Sequence, residues 1–172
     1  MRVTATAFLI AAIATPTFAM TLTSQDLKDG APMPAANIYA RCGGQNVSPQ
    51  LSWSGAPAAT KSFVLTMIDV SVKPAGWSHW IVVGLPPSVT SMPRRAPTLP
   101  AGARQIATNF GDAAYGGPCP PPGTGVHRYQ ITIWAMPAAQ TAIGPDARAT
   151  DVAAMLGRAS IDHATLTVTA GK

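Results

Sequence analysis

The stretch Ser62–Asp69, with the sequence SFVLTMID, decides the fold of this chain. Alternate residues of an extended strand point to opposite faces of a sheet. Here phenylalanine, leucine, methionine and Asp69 share one face, while valine, threonine and isoleucine share the other. Because both faces are largely apolar, the pattern predicts a central strand that is covered on both sides and ends in a charged residue.

Three other segments repeat a strand pattern. Residues 79–85, HWIVVGL, and residues 127–136, HRYQITIWAM, are rich in β-branched and aromatic side chains, and both begin with histidine. Near the end of the chain, residues 164–169, ATLTVT, alternate in the manner of a closing strand. The sequence therefore predicts a mainly β protein.

Helices and loops fill the remaining chain. Thr150 or Asp151 can cap a short helix with the sequence TDVAAMLGRAS. Elsewhere, 17 prolines and 15 glycines leave little room for long helices. Residues 86–100 and residues 109–126 form long, proline-rich loops, and loops of that length in a compact domain are usually functional.

The length and the N-terminal residues indicate one exported domain. The chain has 172 residues, 47% of them hydrophobic, which suffices for a sizeable core. Residues 1–19 combine one cation, a short apolar run and small residues before Met20, a pattern typical of a cleavable signal peptide. We expect a single mature domain over residues 20–172, in the periplasm or secreted; an uncleaved anchor is the alternative.

The charge argues against a nucleic-acid partner. The net charge of +5 reflects scarce acids, with 12 basic residues against 7 acidic ones. The densest basic pair, Arg94 and Arg95, is isolated between prolines, which indicates a solvated loop. After the first 19 residues, no segment approaches the length of a membrane-spanning helix. We expect neither nucleic-acid binding nor stable membrane insertion, and the oligomeric state stays open.

The two cysteines, Cys42 and Cys119, lie far apart in the sequence. An exported protein enters an oxidising compartment, where a close pair of cysteines becomes joined. We therefore expect a disulfide. A free or metal-binding pair is the alternative, although C-x-x-C spacing is missing.

Charged strand ends can meet at one edge of the sheet. If the chain after Asp69 turns and returns antiparallel, the strand that begins at His79 places its first residue beside Asp69. A strand that begins at His127 and runs parallel to the His79 strand delivers its histidine to the same edge, with Tyr129 below it. A carboxylate near two imidazoles favours their cationic forms, and such a pocket suits phosphate.

The loop ahead of His127 supplies candidate walls for this pocket. Glycines of residues 115–125, YGGPCPPPGTG, let backbone N–H groups approach an oxyanion, and the proline run from Pro120 stiffens the loop. Trp77 or Trp80 can form an apolar flank. The structural alternative is that the aromatic residues belong to the core and that local hydrogen bonds satisfy the histidines and aspartate. For the third histidine, His163, a surface or helix-end role is expected.

Four motifs make the chain resemble the phosphatidylethanolamine-binding protein family, specifically its bacterial Raf-kinase-inhibitor-like branch. They are CGGQNVSPQLSW at residues 42–53, the strand that ends at Asp69, GWSHW at residues 76–80 and YGGPCPPPGTGVHRY at residues 115–129. The resemblance covers nearly all of the mature chain. It implies a large antiparallel-dominated sheet, a smaller second sheet, a few short peripheral helices and an anion pocket for phosphate, acetate or a phospholipid headgroup.

The resemblance also implies roles for individual residues. The ligand-binding residues that it implies are Asp69, Trp77, His79, Pro120, His127 and Tyr129. Cys42 and Cys119 fall where bacterial relatives often carry cysteine, which supports pairing of two loops beside the pocket. One departure is that the family continues its pocket aspartate as D-P-D, whereas this chain has Val70 and Ser71. Without this second carboxylate, the pocket repels an anion less and lacks a contact for a headgroup amine.

These observations favour a non-catalytic binding protein for a phosphorylated small molecule or phospholipid headgroup, without metal or cofactor. One alternative is a hydrolase or transferase in which Asp69 orients a histidine as general base, but no G-x-S-x-G motif is present and Ser78 is expected on the opposite face. A second alternative is a metal site of two histidines and a carboxylate, although the H-x-H and H-E-x-x-H spacings are missing. A third alternative is a protein inhibitor that acts through its proline-rich loops, and no sequence feature identifies its partner.

Overall fold

The structure is a computed structural model that describes residues 19–139, 143–144 and 149–171. Residues 1–18 of the expected signal peptide lie outside the described residues, so that expectation stays a prediction. Among the described residues, no helix is long and apolar enough to cross a membrane.

Eight strands, one helix and two short 3-10 turns are described. The strands are β1 (Thr21–Thr23), β2 (Leu51–Ser54), β3 (Ser62–Asp69), β4 (Trp77–Leu85), β5 (Ser91–Met92), β6 (Arg104–Gln105), β7 (His127–Met136) and β8 (Asp162–Ala170). The helix α1 is Ala149–Ala159, and the 3-10 turns are Ala35–Asn37 and Ala40–Cys42. The prediction of a mainly β protein with few short helices is confirmed.

The strands form two antiparallel sheets. The large sheet has the order β6-β4-β3-β7-β8, and the small sheet has the order β1-β2-β5. β3 is central in the large sheet, as its two apolar faces predict. Because β4 and β7 both run antiparallel to β3, they run parallel to each other, and their first residues reach the same edge of the sheet.

The inner face of the large sheet packs against the small sheet. Phe63 of β3 meets Trp53 of β2 edge-on, with ring centroids 5.6 Å apart. Trp80 and Tyr129 are also fully buried in this core. The outer face is covered in part by α1, whose Leu156 packs on the β-branched residues of β3 and β4. Trp80 therefore belongs to the core and does not line the pocket described below.

Some predicted boundaries differ from the observed ones. β4 begins at Trp77 rather than at residue 79. α1 begins at Ala149, so Thr150 and Asp151 lie in its first turn instead of capping it; a carboxylate there still favours the positive end of the helix dipole. The predicted loop 86–100 contains β5, which pairs with β2.

Candidate functional site

A β-bulge near the start of β4 sets the position of His79. Ser78 pairs with Ile68 and Trp80 pairs with Met67, so His79 is the extra residue between two pairs. Trp80 then packs beside Met67 in the core, and the buried ring of His79 faces the edge where β3 ends. An uninterrupted β alternation would have placed neighbouring residues on opposite faces.

A cavity of about 340 Å³ opens at this edge. Its lining is mostly apolar and comprises Asp69, Val72, Trp77, His79, Phe110, Cys119, Pro120, Pro121, His127 and Tyr129. The structure thus brings together all six residues that the sequence singled out for ligand binding. Whether they bind a ligand stays a prediction. Among these lining residues, none is lysine or arginine and none carries a serine or threonine hydroxyl.

A buried carboxylate and imidazole form the floor of the cavity. Asp69 lies between Trp77 and Tyr129 on the neighbouring strands. His127 is two residues before Tyr129 on β7, and its Nδ1 donates to Asp69 Oδ2 over 2.6 Å. Tyr129 also hydrogen-bonds to Asp69; burial, followed by the negative charge of Asp69, raises the pKa of Tyr129. Three lining residues are therefore coupled through one carboxylate.

His79 is held from the opposite side of the cavity. Its Nδ1 lies 2.7 Å from the carbonyl oxygen of Gly116, and the N–H of Gly116 donates to the carbonyl oxygen of His79 over 2.8 Å. A carbonyl oxygen only accepts hydrogen bonds, so Nδ1 carries the proton. Burial lowers the pKa of His79, and this effect exceeds the opposing influence of nearby carbonyls and of Asp69. The neutral ring therefore has an unprotonated Nε2.

Ser71, two residues after Asp69, links the end of β3 to β7. Its backbone N–H donates to Asp69 Oδ1 over 2.9 Å, and its hydroxyl accepts from the backbone N–H of Arg128 over 2.9 Å. The backbone of Val70 also donates to the carbonyl oxygen of Arg128. These bonds keep the turn after β3 attached to β7, and Asp69 is the one carboxylate among the residues that line the cavity.

The wall at residues 115–119 is anchored to residues 37–46. The side chain of Asn46 donates to the carbonyl oxygen of Tyr115 and accepts from the N–H of Gly117. The hydroxyl of Tyr115 donates to the carbonyl oxygen of Asn37. The disulfide Cys42–Cys119, with a Cα–Cα distance of 5.6 Å, adds a covalent link. These contacts hold the segment that carries the Gly116 carbonyl against His79.

We expect Gly117→Ala to loosen this wall. A methyl group at Gly117 would overlap the carbonyl oxygen of Asn37 and the backbone nitrogen of Tyr39, neither of which can rotate away. Such overpacking typically costs about 2 kcal/mol of unfolding free energy, measurable by urea denaturation. The matched control is Gly157→Ala in α1, where the new methyl group meets nothing and helix propensity raises stability by about 1 kcal/mol. Equal stability of Gly117→Ala and the wild type would contradict the packing argument.

Two lining residues were not singled out from the sequence. Phe110 is the main one: its ring meets Trp77 and His79 edge-on, at centroid distances of 6.0 and 5.2 Å, and lies 5.1 Å from Tyr39. Val72 is the other one, whereas Cys119 was expected beside the pocket and Pro121 in its proline wall. The available signal was the position of Phe110 in a loop predicted to be functional, but nothing in its local sequence distinguishes it from a core aromatic residue.

The remaining candidates lie away from the cavity floor. Ser78 is on the opposite face, as expected, where its hydroxyl bonds to Asn109. His163 is exposed on β8 and stacks on Trp134 at 5.0 Å, consistent with a surface role. Within the part of the chain that the structure describes, no group of three or more His, Cys, Asp or Glu residues is arranged to hold a metal ion.

Comparisons with known proteins give one consistent match. The family model described as phosphatidylethanolamine-binding protein matches residues 23–171. The UPF0098 protein YbcL of Escherichia coli is 36% identical over 157 residues, which cover 87% of this chain and 86% of YbcL. LppC of Mycobacterium tuberculosis, named as a candidate lipoprotein, is 34% identical over 147 residues, covering 86% of this chain and 70% of LppC.

The solved structures agree. The crystal structure of E. coli YbcL, described as a new member of the mammalian PEBP family, superposes with a TM-score of 0.83 at 34% identity and covers 89% of this chain and 98% of YbcL. A phosphatidylethanolamine-binding protein from Plasmodium vivax has a TM-score of 0.51 at 14% identity, which shows a shared fold alone.

Proposed function

Because the chain belongs to the phosphatidylethanolamine-binding protein family, we propose that it is a non-catalytic binding protein whose cavity holds the oxyanion of a phosphorylated small molecule or a phospholipid headgroup. One observation carries this proposal: the pair formed by Asp69 and His127 and the ring of His79 converge on one apolar-walled cavity. Few convergent polar groups in an apolar pocket are the usual arrangement of a small-molecule site.

The charges of the site make binding depend on protons. With no lysine or arginine in its lining, the cavity offers an anion positive charge only through a histidine ring. Burial lowers the pKa of His79, so its free ring is mainly neutral at neutral pH. If the anion binds the protonated site, His79 takes up a proton when the complex forms. The affinity for the anion then falls as the pH rises above the pKa of His79.

Isothermal titration with inorganic phosphate and phosphoethanolamine tests the proposal. We expect the wild type to bind roughly tenfold or more weakly at about pH 8 than at about pH 6. His127→Ala removes the imidazole that Asp69 orients towards the cavity. We expect this variant to bind the anion at least about tenfold more weakly, because a hydrogen bond to a charged ligand contributes about 1.5–3 kcal/mol.

His163→Ala is the matched control. It removes an exposed histidine from the outer face of the sheet and should bind like the wild type. Binding that is equal in the wild type and His127→Ala, or absent from both, would refute the anion pocket. Circular dichroism of each variant separates loss of the site from loss of the fold.

Three observations support a location in the cell envelope, either periplasmic or secreted. The first 19 residues have the composition of a signal peptide. Disulfides such as Cys42–Cys119 persist mainly in oxidising compartments. One relative is named as a candidate lipoprotein. A protein partner that the bound ligand regulates is compatible with this location, and the oligomeric state is left open.

A second candidate function rests on the hydrogen bond between His127 and Asp69. A histidine whose Nδ1 donates to a carboxylate is arranged as a general base through Nε2, and a water molecule would have to serve as the nucleophile in this lining. Release of inorganic phosphate from phosphoethanolamine during the titration, present in the wild type and absent from His127→Ala, would favour this enzyme hypothesis over binding alone.

A further inference from the structure

A groove of about 460 Å³ crosses the outer face of the large sheet. Thr66 and Ile68 of β3 line it, and the alternation of the strand directs them to the face opposite to that of Asp69. The helix α1 covers the apolar part of this face, around Val64 and Ile81, and leaves the polar part over β3, β7 and β8 open. Small-molecule sites have volumes of about 300–1,000 Å³, so the groove is large enough to hold a ligand.

Three threonines from neighbouring strands lie in a row across the floor of the groove. Thr132 of β7 pairs with Thr66 of β3 and with Thr165 of β8. The hydroxyls of Thr132 and Thr165 are 2.9 Å apart and share one hydrogen bond, and the hydroxyl of Thr66 accepts from the indole N–H of Trp134 over 3.0 Å. Because each hydroxyl carries one hydrogen, these contacts leave the hydrogen of Thr66 and one hydrogen of the threonine pair for a ligand.

Gln130 adds an amide beside this row. Its side chain is exposed, lines the groove and makes no hydrogen bond with the other described residues. The amide offers donors and an acceptor, and the threonine hydroxyls do the same. A sugar hydroxyl also donates and accepts, whereas an oxyanion only accepts. The floor of the groove therefore suits a ligand that carries several hydroxyl groups.

Trp134 forms an aromatic wall at one end of the groove. Its ring is fixed by the hydrogen bond to Thr66 and by His163, which stacks on it with ring centroids 5.0 Å apart. An aromatic ring offers a large apolar surface, on which the C–H face of a sugar ring can pack.

The turn after β3 forms the opposite wall and brings a positive charge. A methyl group at Gly76 would meet Ile68 at 2.7 Å, so the turn lies close against β3. Lys73 of this turn lines the groove and has no ion-pair partner among the described residues. Arg128 is exposed on the same face of β7, two residues before Gln130. None of the residues that line the groove is aspartate or glutamate, so its charge favours an anionic ligand.

We infer that this groove is a second binding site and that its ligand is an acidic saccharide. The sugar hydroxyls bond to Gln130 and to the threonines of the floor, the ring packs against Trp134, and a carboxylate pairs with Lys73. The inference is independent of the proposed function, because the groove and the cavity lie on opposite faces of the sheet.

Titration with digalacturonate tests the inference, with the tryptophan indole signals followed by ¹H–¹⁵N NMR. The chain has four tryptophans, and the variant Trp134→Phe assigns the signal of Trp134. We expect digalacturonate to shift this signal and to leave unchanged that of Trp77, at the rim of the cavity. The dimethyl ester keeps the hydroxyls without the charge and should bind about two- to fivefold more weakly, as for the loss of an exposed ion pair. Acetate, a carboxylate without hydroxyls, should not shift the Trp134 signal at the same concentration.

Two variants divide the affinity between charge and hydroxyl contacts. Lys73→Gln should bind digalacturonate about two- to fivefold more weakly and bind the dimethyl ester like the wild type. Gln130→Met keeps the length of the side chain without its amide and should bind both probes about threefold more weakly. The matched control is Lys61→Gln, which removes an exposed lysine just before β3, outside the groove, and should bind both probes like the wild type. All three side chains are exposed, so we expect the variants to fold.

A second acidic disaccharide identifies the source of the ligand. N-acetylglucosaminyl-N-acetylmuramic acid carries its carboxylate on a lactyl ether, whereas digalacturonate carries it on the ring carbon chain. Tighter binding of the muramic acid disaccharide indicates a cell-wall glycan, and tighter binding of digalacturonate indicates a uronic-acid polysaccharide. Either result supports an acidic saccharide in the groove.

Four results would overturn the inference. The first is a Trp134 signal that moves with neither acidic disaccharide, and the second is a Lys73→Gln variant that weakens acid and ester equally. The third is an equal shift with acetate, which would show a simple anion site. The fourth is a Trp134 signal that moves on dilution of the protein without a probe, which would show that a second copy of the chain occupies the groove. None of these results bears on phosphate binding in the cavity.

Discussion

We expect the double variant Cys42→Ser/Cys119→Ser to lose about 4 kcal/mol of unfolding free energy. The disulfide joins residues 77 positions apart, and closing so long a loop in the unfolded chain removes much of its conformational entropy. Urea denaturation of the double variant and of the wild type under non-reducing conditions measures the difference. For a protein of ordinary stability this loss is a large share of the total.

We expect the folded double variant to keep the binding cavity although it lacks the disulfide. Tyr39 donates to the carbonyl oxygen of Pro118, and Asn46 clamps Gly117, so hydrogen bonds still hold the cavity wall. Phosphate affinity at low temperature should therefore stay near that of the wild type. Adding a reductant to the wild type should reproduce the loss of stability and leave the double variant unchanged. A difference below about 1 kcal/mol would show that the bridge contributes little.

Asp69→Asn is expected to damage both stability and binding. The carboxylate is 3% exposed and accepts from His127, from the N–H of Ser71 and from Tyr129. An amide keeps the shape but replaces one acceptor oxygen by a donor, which leaves a buried polar group unpaired. Leaving a buried hydrogen-bonding group unpaired in this way costs about 1–3 kcal/mol. Phosphate affinity should fall at least about tenfold, because His127 loses the group that orients it.

The matched control is Asp112→Asn, an exposed aspartate in the loop 109–126. Its substitution removes the same charge far from any buried pair and should change stability by no more than about 0.5 kcal/mol. Urea denaturation and phosphate titration of both variants give the comparison. If Asp69→Asn unfolds and binds like Asp112→Asn, Asp69 is not the centre of the site.

Strand positions were largely predictable from the sequence. Ser62–Asp69 and His127–Met136 begin and end where the alternation of apolar residues begins and ends. The start of β4 was missed by two residues because a bulge at His79 interrupts the alternation. A bulge depends on which residues of the neighbouring strand are paired, and that information is not local to residues 77–80.

The residues of the site were predictable where they end strands. Asp69, His79 and His127 lie at or near strand ends, and antiparallel pairing with β3 brings two parallel strands to one edge. Phe110 and Asn46 could not be identified in this way. Their roles arise from contacts with residues distant in the sequence, and neither lies in a strand whose period would reveal a direction.

The sequence by itself determined the mainly β class, the central strand, the pairing partners for the cysteines and the set of charged residues at one sheet edge. Side-chain period, residue type and the need to bury apolar faces act locally, so they can be read from the chain. Only the tertiary structure decided which nitrogen of His79 carries the proton. That choice depends on the carbonyl oxygen of Gly116, 37 residues away, which the packing of one loop against another brings to 2.7 Å.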